Sequence, residues 1–160
     1  MGQYRPSRNI EASIIEFIED ELQKASWTNV SVEKAFSHIS PNALPAIWVH
    51  LSNTIHKKVQ IGDNSTYRTA LVLLEVYGTN DGIREDLKDF LVSIFKNGCP
   101  YYEYVITGGA ISDQTQNGRI RVSNIDDKVI NLGIDKSDLD IVDQFRHLIT
   151  LTAELGKVEV

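Results

Sequence analysis

The residues of this chain whose types could do chemistry are four histidines, one cysteine, a Gly-Gly pair and two groups of aspartates. A histidine acts as a base or a metal ligand when a second group stands at a matching spacing. His38, His50, His56 and His147 have no such partner at i+3 or i+4, and with Cys99 alone there is no cysteine pair for zinc. His50 and His147 fall on expected strands and read as satisfied or surface side chains. Cys99 sits at a helix end ahead of Pro100, not at a helix N-terminus where a thiol is activated, so it reads as a poor nucleophile. Gly108-Gly109 follows a strand as a phosphate loop would. The residues after it are Ala110, Ile111 and Ser112, without the lysine that motif needs, so a turn or bulge is expected. Asp126-Asp127 and the Asp135, Asp138, Asp140, Asp143 group miss the spacing of a calcium loop and its closing glutamate. The matches to Asn-x-Ser/Thr at Asn29 and Asn64 carry meaning only in a secreted chain. The expectation is a protein that is not an enzyme, with no cofactor and no metal.

The elements that would position these residues follow from hydrophobic periodicity. Ile10, Ile14, Phe17, Ile18 and Leu22 form one stripe of a helix over 8–25, with Ser7 as its expected N-cap. Val30–Phe36 alternates as a strand, Pro41 and Pro45 punctuate a loop, and Ala46–Leu51 is an apolar strand. Residues 66–77 alternate with apolar residues on both faces, which predicts a central strand. Asn53–Ser65 between them is too long for a tight turn yet keeps Ile55, Val59 and Ile61 in rhythm, and it is expected to be an extended arm. A second helix over 82–97 carries Ile83, Leu87, Phe90, Leu91, Ile94 and Phe95, capped by Thr79–Gly82 and stopped at Asn97-Gly98. Tyr101–Thr107 is a strand, and Gly108–Gly118 a polar excursion. Arg119–Ile125 and Lys128–Leu132 are strands flanking a hairpin at Asp126-Asp127. Asp135–Asp143 is an acidic connector, Phe145–Leu155 a long alternating strand, and Gly156–Val160 a loose tail.

This order predicts an α+β fold: one domain over 1–160, a mostly antiparallel sheet, and two amphipathic helices packed on one face. The 160 residues are enough to bury a core without staples, and 42% hydrophobic with 24% charged residues argues against disorder. The net charge of −6, with basic residues scattered, makes nucleic acid a poor first partner, because phosphate contacts are made by clustered Lys and Arg. No run of about 18 apolar residues stands in the chain, so no transmembrane helix and no membrane partner are expected. Met1–Pro6 lacks the apolar stretch of a signal peptide, and a cytoplasmic place of synthesis is expected.

In place of a reactive cluster the chain has reach. A strand over 66–77 spans about 40 Å at about 3.3 Å per residue, beside an arm of thirteen residues. Arms and open sheet edges are surfaces through which subunits join each other. The residues expected at a subunit or tube interface are Ile55, Lys57, Lys58, Val59, Ile61, Asp63 and Asn64 on the arm. Ser112, Asp113, Gln114 and Gln116 are their counterparts on the excursion.

The capped first helix, Pro45-Ala46-Ile47-Trp48-Val49, the strand Tyr67–Gly78, the second helix and the strand Arg146–Thr152 follow one another in an order that resembles the tail terminator (tail completion) proteins of long-tailed bacteriophages. The resemblance is one of architecture over most of the chain. It implies a virion protein assembled in the host cytoplasm, a homo-oligomeric ring, expected to be a hexamer. Such a ring caps the tail tube, ends its polymerisation and offers the surface on which the head is joined. The partners so implied are copies of itself, the tail tube protein and a head-completion or neck protein, with DNA only passing through the lumen. A tube or neck subunit shares this style of fold. An adaptor that recognises a partner through an exposed strand is a further alternative, and a small hydrolase a third, which would need a deep pocket with convergent polar groups.

Overall fold

In a computed structural model, residues 5–34, 44–130 and 145–159 are described. They run α1 (Pro6–Lys24), β1 (Ser31–Lys34), β2 (Ala46–Lys58), β3 (Thr66–Tyr77), α2 (Asp81–Phe95), β4 (Cys99–Thr107), β5 (Ala110–Val129) and β6 (Arg146–Glu159). The strands form one six-stranded sheet in the order β1-β2-β3-β6-β5-β4, antiparallel except for the parallel β1–β2 pair. The architecture is the expected α+β, with β3 central between β2 and β6.

Both helices lie on one face because each carries one apolar stripe that must leave water. Ile10, Ile14, Ile18 and Leu22 of α1 and Leu87, Leu91 and Phe95 of α2 share a core with Ile47, Val49, Val72, Leu74, Val76, Ile149 and Leu151 of the sheet. Phe17 meets Phe95 edge to face, with ring centroids 5.4 Å apart, so the helices also touch each other. Fully burying one such side chain contributes about 1.5–3 kcal/mol.

The sheet curls, and α1 occupies the gap between its two margins. On one margin, Glu11 Oε1 accepts the backbone N–H of Leu51 in β2 at 3.2 Å, and Lys34 of β1 pairs with the same carboxylate. On the other, Ser13 Oγ accepts the N–H of Tyr102 in β4 at 2.9 Å, and Tyr104 donates its hydroxyl to Glu16 at 2.6 Å. Unpaired edge groups in a partly dry environment are costly, and polar side chains of a helix satisfy them here.

Several expected boundaries move. The first helix starts at Pro6, whose fixed φ and missing N–H suit the first helical position. Ser7 is not its cap; its hydroxyl accepts from Arg68 Nη1 at 2.7 Å. The second helix is capped as expected: Asn80 accepts the N–H of Ile83 at 2.9 Å. Gly98 ends that helix at φ 68°, where a Cβ would stand 2.1 Å from the Ile120 carbonyl oxygen. The arm over 53–65 is the outer half of a β2–β3 hairpin, paired from Ala46↔Tyr77 to Lys58↔Thr66. The excursion over 108–118 is the Gly108-Gly109 turn followed by the start of β5, which pairs with β4. No hairpin forms at Asp126-Asp127, because β5 runs straight through and pairs Asp126↔Thr150 and Asp127↔Ile149 with β6. The supposed loose tail is strand as far as Glu159, which holds Arg68 at 2.8 Å. Phe36, His38, Pro41, Leu132 and the Asp135–Asp143 connector lie outside the described residues.

Candidate assembly surface

Antiparallel pairing fixes where the two hairpins point. Thr66 at the start of β3 pairs with Glu159 at the end of β6, and Arg121 of β5 pairs with Glu154 of β6. The β2–β3 tip and the β4–β5 tip therefore leave the same end of the sheet, with the end of β6 between them. The two segments singled out in the sequence, far apart along the chain, share one end of the molecule.

The β2–β3 ribbon begins at a bulge between Leu51 and Asn53. One extra residue reverses which side chains face the core, so Asn53, Ile55 and Lys57 lie on the face away from the helices. Ile55 and Val59 are exposed, and Ile61, at 104% relative exposure, touches nothing. The turn itself is built. Val59 N–H donates to Ser65 O at 3.1 Å, Asp63 Oδ1 accepts from both the N–H and the hydroxyl of Ser65 at 3.1 Å, and Gly62 takes φ 87°. Lys58 Nζ donates to Asp63 O at 3.3 Å, whereas Lys57 and Asn64 extend into solvent.

The β4–β5 ribbon turns at Gly108-Gly109, both at positive φ (60° and 85°), which is the chemistry of a tight two-residue hairpin. Here the polar residues are largely engaged. Ser112 Oγ meets Thr107 Oγ1 at 3.0 Å and donates to Val105 O at 3.2 Å, and Asp113 accepts from Gln114 N–H. Gln114 Nε2 donates to Glu16 Oε1 at 2.9 Å, tying the ribbon to α1. Gln116 is exposed, opposite Tyr102. The sequence reading missed the exposed apolar residues Tyr67, Val105 and Ile111, which belong to the same end. Alternation alone could have flagged them once the pairing register was known.

A third feature is a bare edge. β1 covers β2 only from Ala46 to Val49, and α1 takes Leu51; from Asn53 to Lys58 no neighbouring strand stands on that side among the described residues. Lys57 and Lys58 on such an edge discourage indiscriminate pairing.

Three titratable groups, His147, Cys99 and Tyr104, are tied into the fold. His147, 3% exposed, stands between Arg84 Nη1, 2.7 Å from its Nδ1, and Asp127 Oδ1, 2.8 Å from its Nε2. A guanidinium has only hydrogens to offer, so Nδ1 accepts and Nε2 donates to the carboxylate. Neither ring nitrogen is left to act as a base. Cys99 is fully buried, and burial pushes its thiol up to about 12, with Arg119 opposing weakly. Burial, and then the Glu16 carboxylate it donates to, raise the Tyr104 phenol. Among the described residues no group of three or more His, Cys, Asp or Glu side chains is placed to hold a metal ion, and no helix is long and apolar enough to cross a membrane. No known family model matches the chain, and no curated protein matches it.

Proposed function

We propose that this protein is a structural virion subunit that assembles with copies of itself into a ring, a hexamer, at the end of a phage tail tube. In this reading it ends tube polymerisation and carries the surface to which the head is joined. The observation that carries the reading is the pair of ribbon tips leaving one end of the sheet with Ile55, Val59, Ile61, Tyr67, Val105 and Ile111 in water. Six of the seven exposed large apolar side chains among the described residues lie at this end, Val129 being the exception, and such a gathering marks a place where another protein sits. A ring needs a contact between unlike surfaces repeated with closing symmetry, about 60° per subunit in a hexamer, and protruding ribbons supply unlike surfaces. The net charge of −6 suits a lumen through which DNA slides without sticking.

The test is to replace residues 59–65 with Asn-Gly. Lys58 and Thr66 are the last pair, so a two-residue turn closes the hairpin without touching the core. Sedimentation and negative-stain images of the purified protein, with and without tail tubes, should give rings for the natural chain and monomers for the variant. Rings from both would remove the β2–β3 tip from the contact, and a natural chain that stays monomeric with and without tail tubes would refute the reading. The Asn53–Lys58 edge, which has no neighbouring strand among the described residues, favours a second reading, an adaptor that takes an extended partner segment as an added strand. In that case the chain stays monomeric and binds a partner through this edge.

A further inference from the structure

A cleft of about 530 Å³ opens between the last turns of α1 and β1, at the opposite end of β2 from the ribbon tip. Its floor is apolar: Leu22, Val30, Val32 and Trp27, the last held by Phe90 with ring centroids 6.4 Å apart. Its rim carries Glu19, which pairs with no cation among the described residues. Partial burial, and then Asp20 and Glu16, raise the Glu19 carboxyl above its ordinary value, so a cation brought to it would be welcome.

The β2–β3 tip is the complement of this cleft. It presents Ile61 fully exposed and Val59 about half exposed, beside Lys57 and Lys58. The two cannot meet within one molecule: β2 has thirteen residues, which separates its ends by about 40 Å at about 3.3 Å per residue. The cleft is within the range of about 300–1,000 Å³ that buries a compact ligand, ample for two aliphatic side chains. We propose that the β2–β3 tip of one copy docks in the α1–β1 cleft of the next. Val59 and Ile61 lie against Leu22, Val30, Val32 and Trp27, and the tip lysines face Glu19. Because tip and cleft lie at opposite ends, the contact is head to tail and leaves both surfaces available for further copies, as a ring requires. This inference rests on the self-assembly reading and names the surface that performs it.

The experiment uses two full-length variants, Glu19→Lys and the double variant Lys57→Glu/Lys58→Glu, all on exposed positions, with folding checked by circular dichroism. Each alone sets like charges across the contact, and its assembly midpoint is expected to rise at least tenfold in concentration. Mixed in equal amounts, the two variants offer only opposite charges, since each tip finds a complementary cleft on the other variant. Rings should then return near the natural midpoint. Ile61→Cys combined with Thr28→Cys should form a disulfide-linked ladder between copies under mild oxidation. If the natural chain forms rings while either variant assembles equally well, or the mixture stays as poor as its components, this contact is wrong and self-assembly stands. A natural chain that is monomeric at every concentration and on tube ends overturns both.

Discussion

Removing Arg84 should expose how α2 is held to the sheet. Its side chain is 8% exposed and donates to His147, Asp81 and Glu85. Asp81 and Glu85 are 59% and 47% exposed, so in Arg84→Leu they return to water, and losing such surface pairs costs about 0–1 kcal/mol each. His147 cannot rehydrate, and an orphaned buried acceptor costs about 1–3 kcal/mol. The sum is about 3 kcal/mol, or a melting temperature lower by about 6–12 °C, at about 2–4 °C per kcal/mol for a chain this long. His147→Leu should cost about 1–2 kcal/mol, because one guanidinium nitrogen loses its partner while Arg84 keeps Asp81 and Glu85 and the half-exposed Asp127 is solvated. In the double variant both buried polar groups are gone. Its cost should fall short of the sum of the singles by about 1–3 kcal/mol. Urea unfolding at low protein concentration, followed by the fluorescence of Trp27 and Trp48, measures all three with the slope unchanged. Additivity within about 0.5 kcal/mol would refute the claim that these side chains act as one connected strut.

Ser13→Ala removes the acceptor for the Tyr102 N–H on the β4 margin; it should cost about 1–2 kcal/mol and speed hydrogen exchange at Tyr102 far more than at core amides such as Val72. Unchanged exchange at Tyr102 would mean that α1 does not close that margin. Cys99 should react with a thiol reagent at pH 8 only as fast as the chain unfolds. Its thiol ionises at 9.0 when unfolded and at about 12 when folded, so its contribution is intact below 9.0 and is lost as pH climbs toward 12. That loss reaches about 4 kcal/mol at about 1.4 kcal/mol per pH unit, and Cys99→Ala should flatten this part of the stability profile.

The two helices were legible in the sequence because their signals are local. Ile10, Ile14, Ile18 and Leu22, or Leu87, Leu91 and Phe95, repeat at the helical period, and Asn80 and Gly98 punctuate a chain that needs no distant partner to form them. The central strand 66–77 was legible for a related reason: both of its faces are covered, and its composition records that. The segments over 53–65 and 110–118 gave no such record. Their side chains face water on both sides, and a ribbon is held by backbone hydrogen bonds that are indifferent to side-chain polarity. Asp126-Asp127 looks like a turn in isolation and becomes strand because β6 lies alongside to pair with it. Arg84, outside the apolar stripe, is buried because the N-terminal turn of α2 abuts the start of β6, where His147 waits for a donor. Sequence therefore put the residues proposed for the interface on two segments, and the structure shows both segments exposed. That the two leave one end of the sheet, and that a cleft lies at the other, depends on strand register, which is a relation between residues distant in the chain and is decided when the sheet closes around α1.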